Sequence, residues 1–172
     1  PRRFGKSMAA NMLTAYYSRG CDSRELFQGL KIATHPDFEK HLNQYNVIHL
    51  NMRDYLTESE NMKQLIQFVE DDLLDELQQE FSDLRMPRRK TLVKVLEQAF
   101  AQYKIPFVFI IDEWDCIFRV HKSDAASQKD YLDFLRNLLK DKSYIALAYM
   151  TGILPIKKYG EHSAINVFTN IL

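Results

Sequence analysis

The stretch IPFVFIIDEWD, Ile105 to Asp115, constrains this chain more than any other. Its apolar residues, Ile105 and Phe107 through Ile111, are interrupted only by Pro106. A run apolar on both alternating faces has no solvated side, so it predicts a central strand of a parallel sheet covered above and below. It ends in adjacent carboxylates, Asp112 and Glu113. Ionised groups at the end of an apolar strand are costly unless a cation or a proton-transfer task uses them.

The rest of the chain supplies what such a strand needs. NVIHLNM, Asn46 to Met52, and YIALAYM, Tyr144 to Met150, read as two more buried strands, the first with its functional end at Asp54. Between them run helical patterns. Met8, Met12, Leu13, Tyr16 and Tyr17 recur at helical spacing after Lys6, with Gly20 at the expected C-terminal cap. Met62, Leu65, Ile66, Val69, Leu73, Leu77 and Phe81 form a long stripe, with Asp71, Asp72 and Asp75 mostly off it. The basic hinge Met86 to Lys90 is expected to be exposed, and Thr91 to Tyr103 and Gln128 to Asp141 complete the set. Alternating strands and helices predict an α/β fold with a parallel sheet and helices on both faces.

Composition narrows the classes. With 172 residues, 46% of them hydrophobic, one domain over residues 1–172 with a substantial core is expected. Lys and Arg number 23, as do Asp and Glu, so no global charge attracts nucleic acid, and direct nucleic-acid binding finds no support. Cys21 and Cys116 make neither a disulfide framework nor a metal motif; Cys116 reads as a small core residue, and a cytoplasmic location follows as the simplest expectation. No apolar run reaches the roughly 18 to 20 residues of a membrane span, so no membrane partner is expected. His35, His41, His49, His121 and His162 lack ligand spacing.

Chemistry gathers at three places. PRRFGKS, Pro1 to Ser7, ends as a phosphate-binding loop G-x-x-x-x-G-K-[ST] ends, with the first glycine falling just before Pro1. Gly5 would permit close approach of backbone to phosphate, Lys6 would bridge the β- and γ-phosphates, and Ser7 would ligate Mg²⁺. The plainer alternative is an exposed turn with Ser7 as an N-cap. After the central strand, Asp112 suits a Mg²⁺ partner through water and Glu113 a base that activates water. Both could instead cap the next segment. Thr151, beyond the next strand, would sense the γ-phosphate or mark only a strand exit.

With these residues in view, the chain resembles the AAA-ATPase-like family, predicted prokaryotic P-loop ATPases often fused to a PD-(D/E)XK nuclease-like domain. The resemblance rests on PRRFGKS, LFQGLKI (Leu26 to Ile32), VIHLNMRD (Val47 to Asp54), FIIDEWD (Phe109 to Asp115) and TGILPIKKYGEHSAINVFTNI. It implies a P-loop NTPase three-layer sandwich, lacking its first strand in this stretch of a longer chain. It implies cofactor-binding residues Arg2, Arg3, Phe4, Gly5, Lys6, Ser7 and Met8, a metal site at Ser7 and Asp112, and catalytic Glu113, Lys6 and Thr151. ATP and Mg²⁺ are the implied cofactors. A C-terminal effector domain, nuclease-like in relatives, and a homo-oligomer are the implied partners.

The family's loop reads R-P-R-R-F-G-K-[ST], with arginine where the usual first glycine stands. Mg-dependent ATP hydrolysis coupled to an effector is the resulting expectation, with a non-hydrolysing nucleotide sensor or scaffold as the alternative and a phosphotransferase as a third class. Trp114 stands where many relatives have Tyr, an exchange expected to be tolerated. Arg119 is open between a trans-acting arginine finger and a surface arginine.

Overall fold

A computed structural model describes residues 5–154. Three strands, β1 (Asn46–Asn51), β2 (Phe107–Asp112) and β3 (Ile145–Met150), form a parallel sheet in the order β1-β2-β3. Every residue of β2 is buried, as its unbroken apolar run requires of the middle strand. Asn51 pairs with Asp112 and Ile111 with Met150, so the carboxyl ends of all three strands share one edge.

Helices cover both faces. Alternate β2 residues point opposite ways. Phe107, Phe109 and Ile111 join the main core with Ile48 and Leu50, whereas Val108 and Ile110 meet Ala10 on the other side. That second face is covered by α1 (Lys6–Tyr17). Its inward residue is the fully buried Ala10, whose small side chain lets the helix lie close to the sheet. Of the expected stripe, Leu13, Tyr16 and Tyr17 pack inward, whereas Met8 is 68% and Met12 41% exposed. Nor does Gly20 cap α1, which ends at Ser18, bridged to Tyr45 beside the sheet.

The main core lies under α4 (Met62–Glu80) and α5 (Leu92–Tyr103), two of the expected helices. Met62, Leu65, Val69, Leu73 and Leu77 of α4 are buried, each contributing about 1.5–3 kcal/mol relative to exposure. Asn61 caps the helix by accepting the Gln64 N–H at 3.0 Å. Asp71, Asp72 and Asp75 are exposed, as are Arg88, Arg89 and Lys90 of the hinge. A satellite cluster of Tyr16, Phe27, Phe38 and Leu42 packs two short 3-10 turns and α2 (Phe38–His41) against the end of α1.

Three boundaries depart from expectation. β1 stops at Asn51, whose side chain accepts the Arg53 N–H at 3.2 Å and starts α3 (Met52–Glu58). Asp54 therefore sits exposed in a helical first turn and not at the strand end. A short helix, α6 (Cys116–Val120), follows the acidic pair, and α7 (Ala125–Leu139) begins three residues before the expected Gln128, because Asp124 accepts the Ser127 N–H at 3.0 Å. β3 is half-buried and not buried, since it is the edge of the described sheet. Among the described residues no helix is long and apolar enough to cross a membrane.

Candidate functional site

The carboxyl edge of β2 brings together residues from both ends of the chain. Asp112 is only 6% exposed, and its carboxylate is enclosed by donors. Ser7 Oγ donates to Oδ2 at 2.6 Å, while Thr151 Oγ1 and the Glu113 N–H, the latter at 2.9 Å, donate to Oδ1. Burial alone would push the Asp112 carboxyl up. The bonds from Ser7, Thr151 and the Glu113 N–H, with His49 nearby, outweigh it and hold the group below the usual carboxylate range. Asp112 is thus a buried charge stabilised by donors.

Local structure explains why those donors arrive. Gly5 N-caps α1 in the left-handed region at φ 70°, where a residue without Cβ is unstrained. Lys6 and Ser7 occupy the first turn of α1, so the positive end of the helix dipole faces the Asp112 charge. Thr151 is 4% exposed; its N–H donates to the Ile111 carbonyl at 2.9 Å, and its own carbonyl accepts the Trp114 N–H at 3.0 Å. Lys6 Nζ donates to the Gly152 carbonyl at 2.5 Å.

The turn after β2 is stitched to the segment after β3. Asp115, fully buried, accepts the Ile153 and Leu154 N–H groups on Oδ2 at 2.9 and 2.8 Å. Gly152 lies so close that a Cβ there would stand 2.7 Å from both Asp115 Oδ1 and Trp114 Nε1. Tyr131 Oη donates to the Trp114 carbonyl at 2.9 Å, fixing the turn from beneath. Glu113 occupies the left-handed region at φ 53°, an uncommon conformation for a residue with a Cβ. Arg119 donates through an Nη to the Glu113 carboxylate, and its Nε lies 3.5 Å from Asp115 Oδ2.

The residues fit a Mg²⁺-bound phosphate chain. Ser7 Oγ and Asp112 Oδ2 are hard oxygens side by side, the donors Mg²⁺ prefers. Among the described residues no group of three or more His, Cys, Asp or Glu could enclose a metal alone. A cation here would complete its shell with water and phosphate oxygens, as Mg²⁺ commonly does. Nothing among the described residues lies within 4 Å of where a Gly5 Cβ would be, so backbone stands open to a ligand.

A family model described as a predicted AAA-ATPase matches residues 1–160. The chain belongs to the AAA-ATPase-like family. No curated protein and no solved structure matches it.

In this AAA-ATPase-like chain, Lys6, Ser7, Asp112, Glu113 and Thr151 meet at one edge of the sheet as the sequence reading expects. Met8 is there too but exposed, whereas Arg2, Arg3 and Phe4 lie outside the described residues, as do His162 and the final block beyond Leu154. Arg119, an open choice in sequence, is turned onto its own chain's Glu113 and Asp115. Cys116 is a core residue, 3% exposed, and burial pushes its thiol up to about 12.

Sequence reasoning missed Asp115 and left the role of Arg119 open without pairing the two. Their spacing of four residues past the acidic pair, D-x-x-x-R, was the available signal, because it puts both on one face of a helical turn. A cleft of about 370 Å³ opens beside the site, lined by His49, Asn51, Asp54, Tyr55, Glu58 and Asp72. Its carboxylates would repel phosphate. The larger cleft, about 420 Å³, includes Asn46 and Phe107 at the opposite ends of their strands, away from Lys6 and Asp112.

Proposed function

We propose that this AAA-ATPase-like chain binds Mg·ATP at the first turn of α1 and the carboxyl end of β2, and hydrolyses it to drive an attached effector module. One observation carries the reading: Ser7 and Asp112, 105 residues apart, meet at 2.6 Å and join a helix N-terminus to a strand-end carboxylate. That juxtaposition supplies phosphate-binding N–H groups and a cation-binding oxygen pair in one place.

Lys6 exchanges the Gly152 carbonyl for the β- and γ-phosphate oxygens, a charge-assisted contact stronger than the neutral one it leaves. Ser7 and Asp112 would hold Mg²⁺, which would supply charge neutralisation at the phosphate oxygens. Glu113 orients a water and accepts its proton as the water oxygen bonds the γ-phosphorus and the bond to the β-phosphate oxygen breaks. Thr151, bonded to Asp112, carries the change toward Gly152 and the segment after β3.

A second reading, a non-hydrolysing nucleotide sensor, is favoured by the pairing of the Glu113 carboxylate with Arg119. A carboxylate oxygen occupied by a guanidinium is not free to orient and accept from a water until that contact opens.

ATP binding and phosphate release separate these readings. Lys6→Ala should weaken Mg·ATP binding about tenfold or more, since a charge-assisted contact is lost. Unchanged affinity would remove the α1 turn from the site. Glu113→Gln should keep affinity while turnover falls about a hundredfold or more, as expected for loss of a general base. Nucleotide bound without turnover in the parent chain would make it the sensor.

A further inference from the structure

Among the described residues, two buried side-chain atoms that can form hydrogen bonds have no partner: Asp115 Oδ1 and Arg119 Nε. They are an acceptor and a donor of opposite charge, on residues one helical turn apart. Such orphans cost free energy, and a complementary pair left apart this closely marks an arrangement with an alternative. Arg119 Nε already stands 3.5 Å from Asp115 Oδ2, close enough for an ion pair but without a hydrogen bond. The Arg119 Nη is meanwhile bonded to the Glu113 carboxylate.

We infer that Arg119 is the positioning residue for Glu113, holding its carboxylate in the arrangement seen and releasing it by turning to fork Asp115. A guanidinium presents donors in a rigid plane and can serve Asp115 with two parallel bonds, which would satisfy both orphans together. The Glu113 backbone need not move. Its N–H is fixed to Asp112 Oδ1 at 2.9 Å, so only the side chain changes partner.

The contacts also give the nucleotide a route to this choice. Lys6 holds the Gly152 carbonyl, Gly152 abuts Asp115 Oδ1, and Asp115 holds the next two N–H groups. Withdrawing Lys6 toward phosphate loosens the segment that crowds Asp115 Oδ1. That oxygen becomes reachable by Arg119, and Glu113 is freed when a triphosphate is in place. The inference rests on the hydrolase reading given above.

The test is single-turnover phosphate release from Mg·ATP by the full parent chain and its variants. Arg119→Gln should raise the rate about threefold or more, and Asp115→Asn should lower it by a similar factor, with ATP affinity in both within about twofold of the parent. On a Glu113→Gln background Arg119→Gln should change nothing, because its effect passes through Glu113. A fall in rate in Arg119→Gln, or an equal effect with and without Glu113, overturns the inference. If Arg119→Gln does not fold, Arg119→Met keeps the apolar stem, removes the contact with Glu113, and should show the same rise.

Should the parent release no phosphate, the hydrolase reading fails by itself. The pair is then decided by a double-mutant cycle of Arg119→Gln and Glu113→Gln in urea unfolding. A coupling of about threefold or more in the unfolding constant supports the holding contact, and a smaller one overturns it.

Discussion

At the scale of single residues, Gly152 is held by space and not by backbone conformation. A Cβ there would stand 2.7 Å from Trp114 Nε1 and from Asp115 Oδ1, closer than real Cβ contacts allow. Both neighbours are buried, and Trp114 is pinned by Tyr131, so the 151–154 segment would have to yield. Gly152→Ala should therefore cost about 1–3 kcal/mol, the usual range for overpacking, measured by urea unfolding. A cost under about 0.5 kcal/mol would mean that the segment is looser than its hydrogen bonds suggest. The same crowding bears on Trp114, whose indole Nε1 and Cδ1 stand 2.7 and 2.8 Å from where a Gly152 Cβ would be.

Among elements, the helices show what local signals deliver. Asp124 caps α7 by accepting the Ser127 N–H at 3.0 Å and the Ser127 Oγ hydrogen at 2.7 Å. Removing both in Asp124→Ala should lower stability by about 1 kcal/mol, with Asp124→Asn retaining most of it, as thermal melting would show. This D-x-x-S cap was present in the sequence, yet the apolar periodicity that drew the helix started at Gln128, and a cap lies outside the periodicity. Periodicity found α4 with its buried stripe intact, because that helix faces one large core. On α1 it found the helix and the inward Leu13, Tyr16 and Tyr17, but it took in the exposed Met8 and Met12 and passed over the fully buried Ala10. A close helix-to-sheet approach selects small residues, which hydropathy does not flag. Lys6, Ser7, Asp112, Glu113 and Thr151 were legible from motif and strand ends. Asp115 was not, and Arg119 stayed an open choice, since their pairing gains meaning only when the segment after β3 comes to rest on Asp115.

For the molecule as a whole, Asp112 ties three otherwise separate regions to one charge: the start of α1, the central strand and the exit of β3. Its carboxyl is held below the usual range in the folded chain. The associated stability is fully present above the unfolded carboxylate value of about 3.9 and is lost as pH falls through the lower folded value. Melting followed from pH 7 to pH 3 should show the parent weakening below about pH 5, and Asp112→Asn should be less stable at neutral pH with a flatter acid limb. Equal acid limbs would assign the loss to other carboxylates, of which the exposed Asp124 and the half-buried Asp133 are also held low by their partners.

The order of the strands has a consequence for how the chain is made. Asn46 pairs with Phe107, so β1 meets its partner only after 61 more positions have been added. At ribosomal rates of about 5–20 residues per second, that is a delay of about 3–12 s. During it, Ile48 and Leu50 cannot yet pair with β2. The first cover available to them is α4, followed by α5, each emerging with an apolar stripe that ends in the same core. Both helices, which cover the β1 residues of that core in the folded chain, are thus complete in sequence before the strand that β1 pairs with.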